Sequence, residues 1–120
     1  MFKAIKEIDE FNQEQIHYYL TQGDSCKITS TPYIDDMIVQ SSKIKKCVFK
    51  IANLSKKLIK EIDFKLVEGS NVYALEITSA ISKELPPTQY VYEVEYIMSN
   101  DDVYTPNSWK FDIIKQITSE

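Results

Sequence analysis

Few residues of this 120-residue chain have side chains that support catalysis or metal binding. His17 is the only histidine, and Cys26 and Cys47 are the only cysteines. Two separated cysteines and one histidine are too few ligands for a zinc site, and no serine or cysteine stands in a nucleophile motif. We therefore expect no catalytic residue, no metal ligand and no cofactor, and we expect the protein not to be an enzyme.

His17 lies in an alternating segment, between Ile16 and Tyr18. Successive side chains of a strand point to opposite faces. Alternation therefore places His17 opposite both neighbours, where we expect it to face solvent or a partner.

Two adjacent acidic pairs, Asp35–Asp36 and Asp101–Asp102, stand in predicted turns. Paired carboxylates can bind calcium or divide the roles of acid and base. Neither pair has the alternating ligand pattern of an EF-hand loop, and consecutive acidic residues in turns usually face solvent. We interpret both pairs as turn formers.

Two groups of lysines could form a patch for an anionic ligand. They are Lys43, Lys45 and Lys46, and Lys56, Lys57 and Lys60. The interpretation we favour is a solvated strand edge and loop, because lysines on an edge discourage pairing with other strands.

The overall charge argues against anionic partners. The chain has 14 basic and 18 acidic residues, a net charge of −4, and its basic residues are all lysines. Arginine is the preferred residue for capturing phosphates and reading guanine edges. We therefore expect neither a nucleic acid nor a membrane as partner.

The N-terminal residues, MFKAIKEIDEF, alternate in charge and lack the apolar segment of a signal peptide. No apolar stretch approaches the length of a membrane span. We expect synthesis in a reducing cytoplasm, where Cys26 and Cys47 are buried thiols rather than a disulfide.

The elements that position these residues are predicted to be short strands. The clearest signal is a hairpin within residues 85–118, in which Tyr90 to Met98 alternates and places Glu93 and Glu95 on the face opposite the tyrosines. Ser99 to Asp102 forms its turn. Further alternating segments cover residues 16–22, 26–28, 46–52, 62–66 and 73–77. About seven or eight short strands without a βαβ rhythm predict an all-β, two-sheet β-sandwich.

The first fifteen residues are ambiguous. Phe2, Ile5, Ile8 and Phe11 recur every three residues, which favours one or two helical turns. We predict a short helix or a loose arm over residues 1–15 and the sandwich over residues 16–118.

Several short motifs resemble one family when their order and spacing are taken together. The motifs are Gln22-Gly23-Asp24-Ser25, Cys47-Val48-Phe49-Lys50-Ile51, Leu85-Pro86-Pro87, Tyr90-Val91-Tyr92-Glu93-Val94, Tyr104-Thr105-Pro106 and Lys110-Phe111-Asp112-Ile113. They are similar to the immunoglobulin-like modules of phage tail and baseplate proteins, typified by the N-terminal domain of the baseplate upper protein family. The resemblance spans residues 16–118. It departs from the family where Trp109 replaces a small residue and where the hairpin turn lacks Asp-Gly.

The resemblance implies an immunoglobulin-like sandwich that serves as a structural, non-enzymatic phage virion component, either a tail or baseplate protein or an adaptor. It implies assembly with other phage tail or baseplate proteins, a homo-oligomer such as a trimer or hexamer, and a location in the virion tail. Two alternatives are a carbohydrate-binding, adhesin-like module and a small phage-encoded regulator or inhibitor of a host protein.

Outward-facing apolar residues are the usual material of interfaces. The residues that we predict at an interface are Tyr33, Val91, Ile97 and Tyr104. The residues that we predict to be structural are Gly23, Asp24, Pro86, Pro87, Pro106 and Trp109.

Overall fold

The structure is a computed structural model, and it describes residues 1–117. These residues form eleven strands, one 3₁₀ turn and one α-helix. The strands are β1 (Phe2–Ile8), β2 (Glu14–Thr21), β3 (Cys26–Ser30), β4 (Tyr33–Ile34), β5 (Met37–Ile38), β6 (Ile44–Ala52), β7 (Leu58–Asp63), β8 (Lys65–Leu66), β9 (Tyr73–Ile77), β10 (Gln89–Met98) and β11 (Val103–Ile114). The 3₁₀ turn covers Ser41–Lys43, and helix α1 covers Ser79–Glu84.

The strands form a β-sandwich, as the alternating segments predict. A six-stranded sheet in the order β1-β2-β11-β10-β6-β7 packs on a three-stranded sheet in the order β3-β9-β8, while β4 and β5 form a separate hairpin. Strand β11 pairs in parallel with β2, and the other pairs are antiparallel. Strands β3-β9-β8 correspond to B-E-D of an immunoglobulin domain, and β7-β6-β10-β11 correspond to C′-C-F-G. The predicted immunoglobulin-like fold is confirmed.

A tyrosine at the start of β10 ties this strand to the loop before it. The Tyr90 hydroxyl donates to the Pro86 carbonyl oxygen at 2.6 Å. A tyrosine at the start of strand F with its hydroxyl bonded a few residues upstream is the tyrosine corner of immunoglobulin-like domains. The Pro86–Pro87 segment therefore shapes this corner.

The prediction of a helix or loose arm over residues 1–15 is wrong. Phe2–Ile8 forms β1, which pairs antiparallel with β2 at the edge of the six-stranded sheet. Phe2 stacks on Tyr18 with ring centroids 5.8 Å apart, while Ile5 is 44% exposed. An edge strand with both faces largely open needs no strict alternation, so apolar residues at every third position are compatible with it.

The core lies between the two sheets and is mostly aromatic at its centre. Phe49 stacks on Tyr92 at 5.1 Å between centroids, and Phe111 meets Phe49 at 6.0 Å. Cys26 and Cys47 are buried and free, as predicted.

Gly23 and Asp24 form the corner where the chain passes from one sheet to the other. Gly23 has a φ of +89°, a backbone conformation that residues with a Cβ atom rarely adopt. Its N–H donates to Ser82 Oγ at 2.9 Å, and Ser79 Oγ donates to its carbonyl oxygen at 2.6 Å. The N-terminal amine of Met1 pairs with the Asp24 carboxylate. The corner thus ties α1 and the N-terminus to the sandwich.

Candidate functional site

Hairpin β4–β5 is built on a tight turn at Asp35 and Asp36. These residues have φ of +51° and +63°, and both central residues of a type I′ turn need positive φ. Tyr33 pairs with Ile38, and Ile34 pairs with Met37. The turn type suits the strand twist, so the hairpin forms with only two residues in each strand.

All four strand residues of this hairpin are apolar and face solvent. Tyr33 is 50% exposed, Ile34 41%, Met37 72% and Ile38 44%. Val103, at the start of β11, is 60% exposed. We call these five residues the hairpin patch. Tyr33 and Ile38 lie on one face of the hairpin and Ile34 and Met37 on the other, where Ile34 shares a groove with Val103. Exposed apolar side chains grouped in this way mark interaction sites in folded proteins.

One hydrogen bond closes the base of the hairpin, and another joins the hairpin to the main sheet. The Val39 N–H donates to the Pro32 carbonyl oxygen at 2.9 Å, and both residues are buried. The Tyr104 hydroxyl donates to the Tyr33 carbonyl oxygen at 2.7 Å, and its ring stacks on the buried Tyr96. Tyr104 thus links the hairpin to the buried aromatic cluster of the main sheet.

A shallow groove separates the hairpin from the turn between β10 and β11. Ile34 lines one side, and Met98, Asp102, Val103 and Tyr104 line the other. The groove continues the apolar surface from the hairpin to the main sheet.

The rim of the hairpin patch is acidic. Asp35 and Asp36 form the hairpin tip, and Asp101 and Asp102 form the turn across the groove. Lys45 Nζ lies 2.9 Å from Asp101 Oδ1, whereas Asp35, Asp36 and Asp102 form no ion pair with any residue of 1–117. Both acidic pairs are turn formers, as predicted. Lys43 also lines the groove, so the rim carries four carboxylates and the ammonium groups of Lys43 and Lys45.

His17 lies in a second polar cluster, on the outer face of the six-stranded sheet. Its Nδ1 is 3.0 Å from Glu7 Oε2, and the Tyr19 ring stacks on it at 4.1 Å. Its Nε2 is 3.2 Å from Asp112 Oδ1, which is an ion-pair distance, although the angle does not make a hydrogen bond. Both ring nitrogens therefore face carboxylates of neighbouring strands.

Trp109 completes this cluster. Its Nε1 donates to Glu7 Oε1 at 2.7 Å, and this hydrogen bond, with a smaller contribution from His17, lowers the pKa of the Glu7 carboxyl. The predicted orientation of His17, opposite Tyr18, is confirmed. The expected exposure is wrong, because β1 and Tyr19 cover the ring and leave it 5% exposed. The cluster joins three strands of the sheet.

The residues predicted at an interface separate into different places. Tyr33 and Tyr104 are in contact at the hairpin patch. Ile97 is half-buried opposite Val103, while Val91 is half-buried opposite Ala52, in another groove beside Trp109. Our reading missed Ile34, Met37, Ile38 and Val103. The signal that could have found the hairpin is two apolar pairs flanking Asp-Asp, since two polar turn residues between apolar runs predict a tight hairpin.

In the part of the chain that the structure describes, no group of three or more histidine, cysteine, aspartate or glutamate residues could hold a metal ion. Over the same residues, no helix has the length and apolar character to cross a bilayer.

Comparisons with known proteins give this chain neither a family nor a function. No family model matches the chain, and no curated protein matches it. Among solved structures it is similar to CopC from Methylosinus trichosporium OB3b, with a TM-score of 0.48 and 11% identity over 98% of this chain and 100% of that one. The expected role as a phage tail or baseplate component is contradicted, because a solved structure that the chain matches is CopC. We do not retain the phage role, and at this level of similarity CopC supplies no function in its place.

Proposed function

We propose that the protein is a non-enzymatic binding module that docks onto another protein through the hairpin patch. The observation that carries this proposal is a set of exposed apolar side chains on a hairpin whose base is closed by a buried backbone hydrogen bond and which Tyr104 joins to the main sheet. A surface that is already ordered loses little conformational entropy on binding, so more of its contact energy becomes affinity.

The composition of the patch favours a protein as the partner. Tyrosine and methionine are enriched in protein interfaces, and Tyr33 and Met37 are both at least half exposed. The carboxylates of Asp35, Asp36 and Asp102 border the apolar surface. Complementary charge orients partners and raises association rates. We therefore expect the partner to present an apolar surface flanked by lysine or arginine.

The test is site-specific photocrosslinking. A photoreactive residue replaces Met37 in one version of the chain and Leu54 in a control version, and each is irradiated in a lysate of cells that make the protein. Leu54 is 64% exposed and lies in the loop between β6 and β7, away from the hairpin patch. We expect a discrete product from position 37 that is absent from position 54.

Variants then establish that the patch carries the binding. Ile38→Asp should remove the product from position 37, and added salt should weaken it, because the rim interactions are screened. The identified partner, mixed with the purified chain, should lose at least about tenfold in affinity with Met37→Asp and almost none with Leu54→Asp. Equal products from both positions, or a product indifferent to Ile38→Asp, would contradict the proposal.

A further inference from the structure

The outer edge of β1 presents a row of unpaired backbone groups. Among residues 1–117, β2 alone pairs with β1. The Met1 carbonyl oxygen accepts from the Thr21 N–H at 2.9 Å, and the Asp9 N–H donates to the Gln13 carbonyl oxygen at 2.9 Å. Hydrogen-bonded residues alternate along an antiparallel pair, so the odd-numbered residues of β1 direct their backbone groups toward β2. The residues whose N–H and C=O groups point away from the sheet are therefore Phe2, Ala4, Lys6 and Ile8.

We propose that two copies of the chain pair through this edge, with β1 antiparallel to β1 about a two-fold axis at Ile5. This inference uses a surface separate from the hairpin patch and does not depend on the proposed function. Hydrogen bonding requires that even residues face even residues across the edge. With the axis at Ile5, Phe2 faces Ile8 of the second copy and Ala4 faces Lys6, which gives about eight main-chain hydrogen bonds.

The side chains favour this register. Lys3 faces Glu7 of the second copy, so opposite charges are paired. Ile5 faces Ile5 of the second copy and Phe2 faces Ile8, so apolar residues are paired as well. A shift to an axis at Lys6 places two lysines opposite each other, and an axis at Ala4 places Lys3 opposite Ile5. Of these three registers, only the axis at Ile5 pairs Lys3 with a carboxylate of β1 and places no two lysines opposite each other.

Glu7 already belongs to the cluster with His17 and Trp109. Its side chain is 32% exposed, so an ammonium group can still approach it. Lys3 is exposed and forms no ion pair within residues 1–117. Pairing would therefore add Lys3 of the second copy to an ordered carboxylate.

At the opposite edge of the same sheet, formed by β7, pairing of two copies would place like charges opposite each other. The Phe64 N–H donates to the Cys47 carbonyl oxygen at 2.9 Å, so the odd residues Glu61 and Asp63 direct their backbone groups outward. Self-pairing about Glu61 places two glutamates together, and self-pairing about Lys60 places two lysines together. Like charges opposite each other disfavour pairing, which protects an exposed edge.

Sedimentation equilibrium over a concentration series that reaches about 1 mM tests the association, since a small interface associates weakly. We expect a monomer–dimer equilibrium rather than the predicted trimer or hexamer. Ala4→Pro should give a monomer with an unchanged fold, because the lost N–H points away from β2 and proline is tolerated on edges. Glu61→Pro, an equivalent change at the β7 edge, should leave the dimer intact.

Cysteine crosslinking tests the register. Residues in a non-hydrogen-bonded pair have Cα atoms about 4.5 Å apart, which is within disulfide range. Ile5→Cys should therefore crosslink rapidly under mild oxidation. Lys3→Cys should not, because the two copies of residue 3 lie about 13 Å apart along the strands. Cys26 and Cys47 are buried and give little background.

The outcomes decide the proposal together. A dimer that Ala4→Pro abolishes, with crosslinking at position 5 much faster than at position 3, supports it. A monomer at about 1 mM, a dimer unaffected by Ala4→Pro, or equal crosslinking at both positions overturns it.

Discussion

The two faces of the six-stranded sheet are built from alternate residues of the same strands, yet different interactions stabilise them. The inner face carries Tyr18, Phe49, Tyr92 and Phe111, all less than 9% exposed and in mutual contact. The outer face carries carboxylates with basic or indole partners, such as Glu95 Oε2 at 3.0 Å from Lys50 Nζ. Alternation along a strand thus separates burial from charge within one layer.

This difference shows where stability arises. Burial of large apolar side chains contributes roughly 1.5–3 kcal/mol for each residue, whereas an exposed ion pair contributes about 0–1 kcal/mol. We therefore expect the inner face to be sensitive to lost volume and to high pH, and the outer face to be sensitive to low pH.

The largest effect should come from the inner face. Phe111→Ala removes a side chain with no exposed surface that contacts Tyr18 and Phe49, and we expect a loss of about 3–5 kcal/mol in the free energy of unfolding. Urea denaturation monitored by circular dichroism measures this loss. Ile114→Ala, on the same strand but 37% exposed, should cost less than about 1 kcal/mol. Equal costs would show that the core does not lie where the structure places it.

An intermediate effect should appear at high pH, again from the inner face. Burial raises the pKa of the Cys26 thiol to about 11 and that of Cys47 to about 12, from 9.0. Because the folded pKa values are raised, the buried thiols contribute fully to the free energy of unfolding below pH 9. This contribution is lost progressively as the pH rises from 9 toward the folded values of 11 and 12. At pH 10 we expect a loss of about 1 kcal/mol per thiol.

Denaturation midpoints at pH 8 and pH 10 measure this alkaline effect. Cys47→Ala has a lower stability at both values but should show a smaller difference between them. A variant with the same pH dependence as the unmodified chain would assign the effect to other groups, such as the buried tyrosines.

The smallest effect should come from the outer face at low pH. The Trp109 hydrogen bond, with His17, lowers the pKa of Glu7 below its usual 4.5. A lowered pKa stabilises the folded chain above the unfolded value, and this contribution disappears as the pH falls below 4.5. Glu7→Gln should therefore flatten the decline in stability between pH 5 and pH 3.

Trp109 is the only tryptophan, so its fluorescence reports this carboxylate directly. We expect an acid transition in emission that Glu7→Gln removes and that Glu68→Gln, at an exposed position in the turn between β8 and β9, leaves unchanged. A transition that survives Glu7→Gln would contradict the assignment of the carboxylate.

The success and failure of the sequence predictions follow from the same physical rule. Strand β10 alternates because it is central and has one face in the core, so the outward positions of Glu93 and Glu95 could be predicted. Strand β1 was misread because an edge strand has little to bury. Hairpin β4–β5 was missed because two-residue strands are too short to show a period.

The sequence by itself determined the β-sandwich, the buried thiols and the outward direction of His17, because each follows from local alternation or composition. The tertiary structure alone decided the burial of His17 under Tyr19, the contact of Tyr104 with Tyr33 and the exposed edge of β1. These features depend on which strands become neighbours, and neighbours are chosen by packing between segments far apart in the chain. The hairpin patch and the β1 edge are such features, and both proposals rest on them.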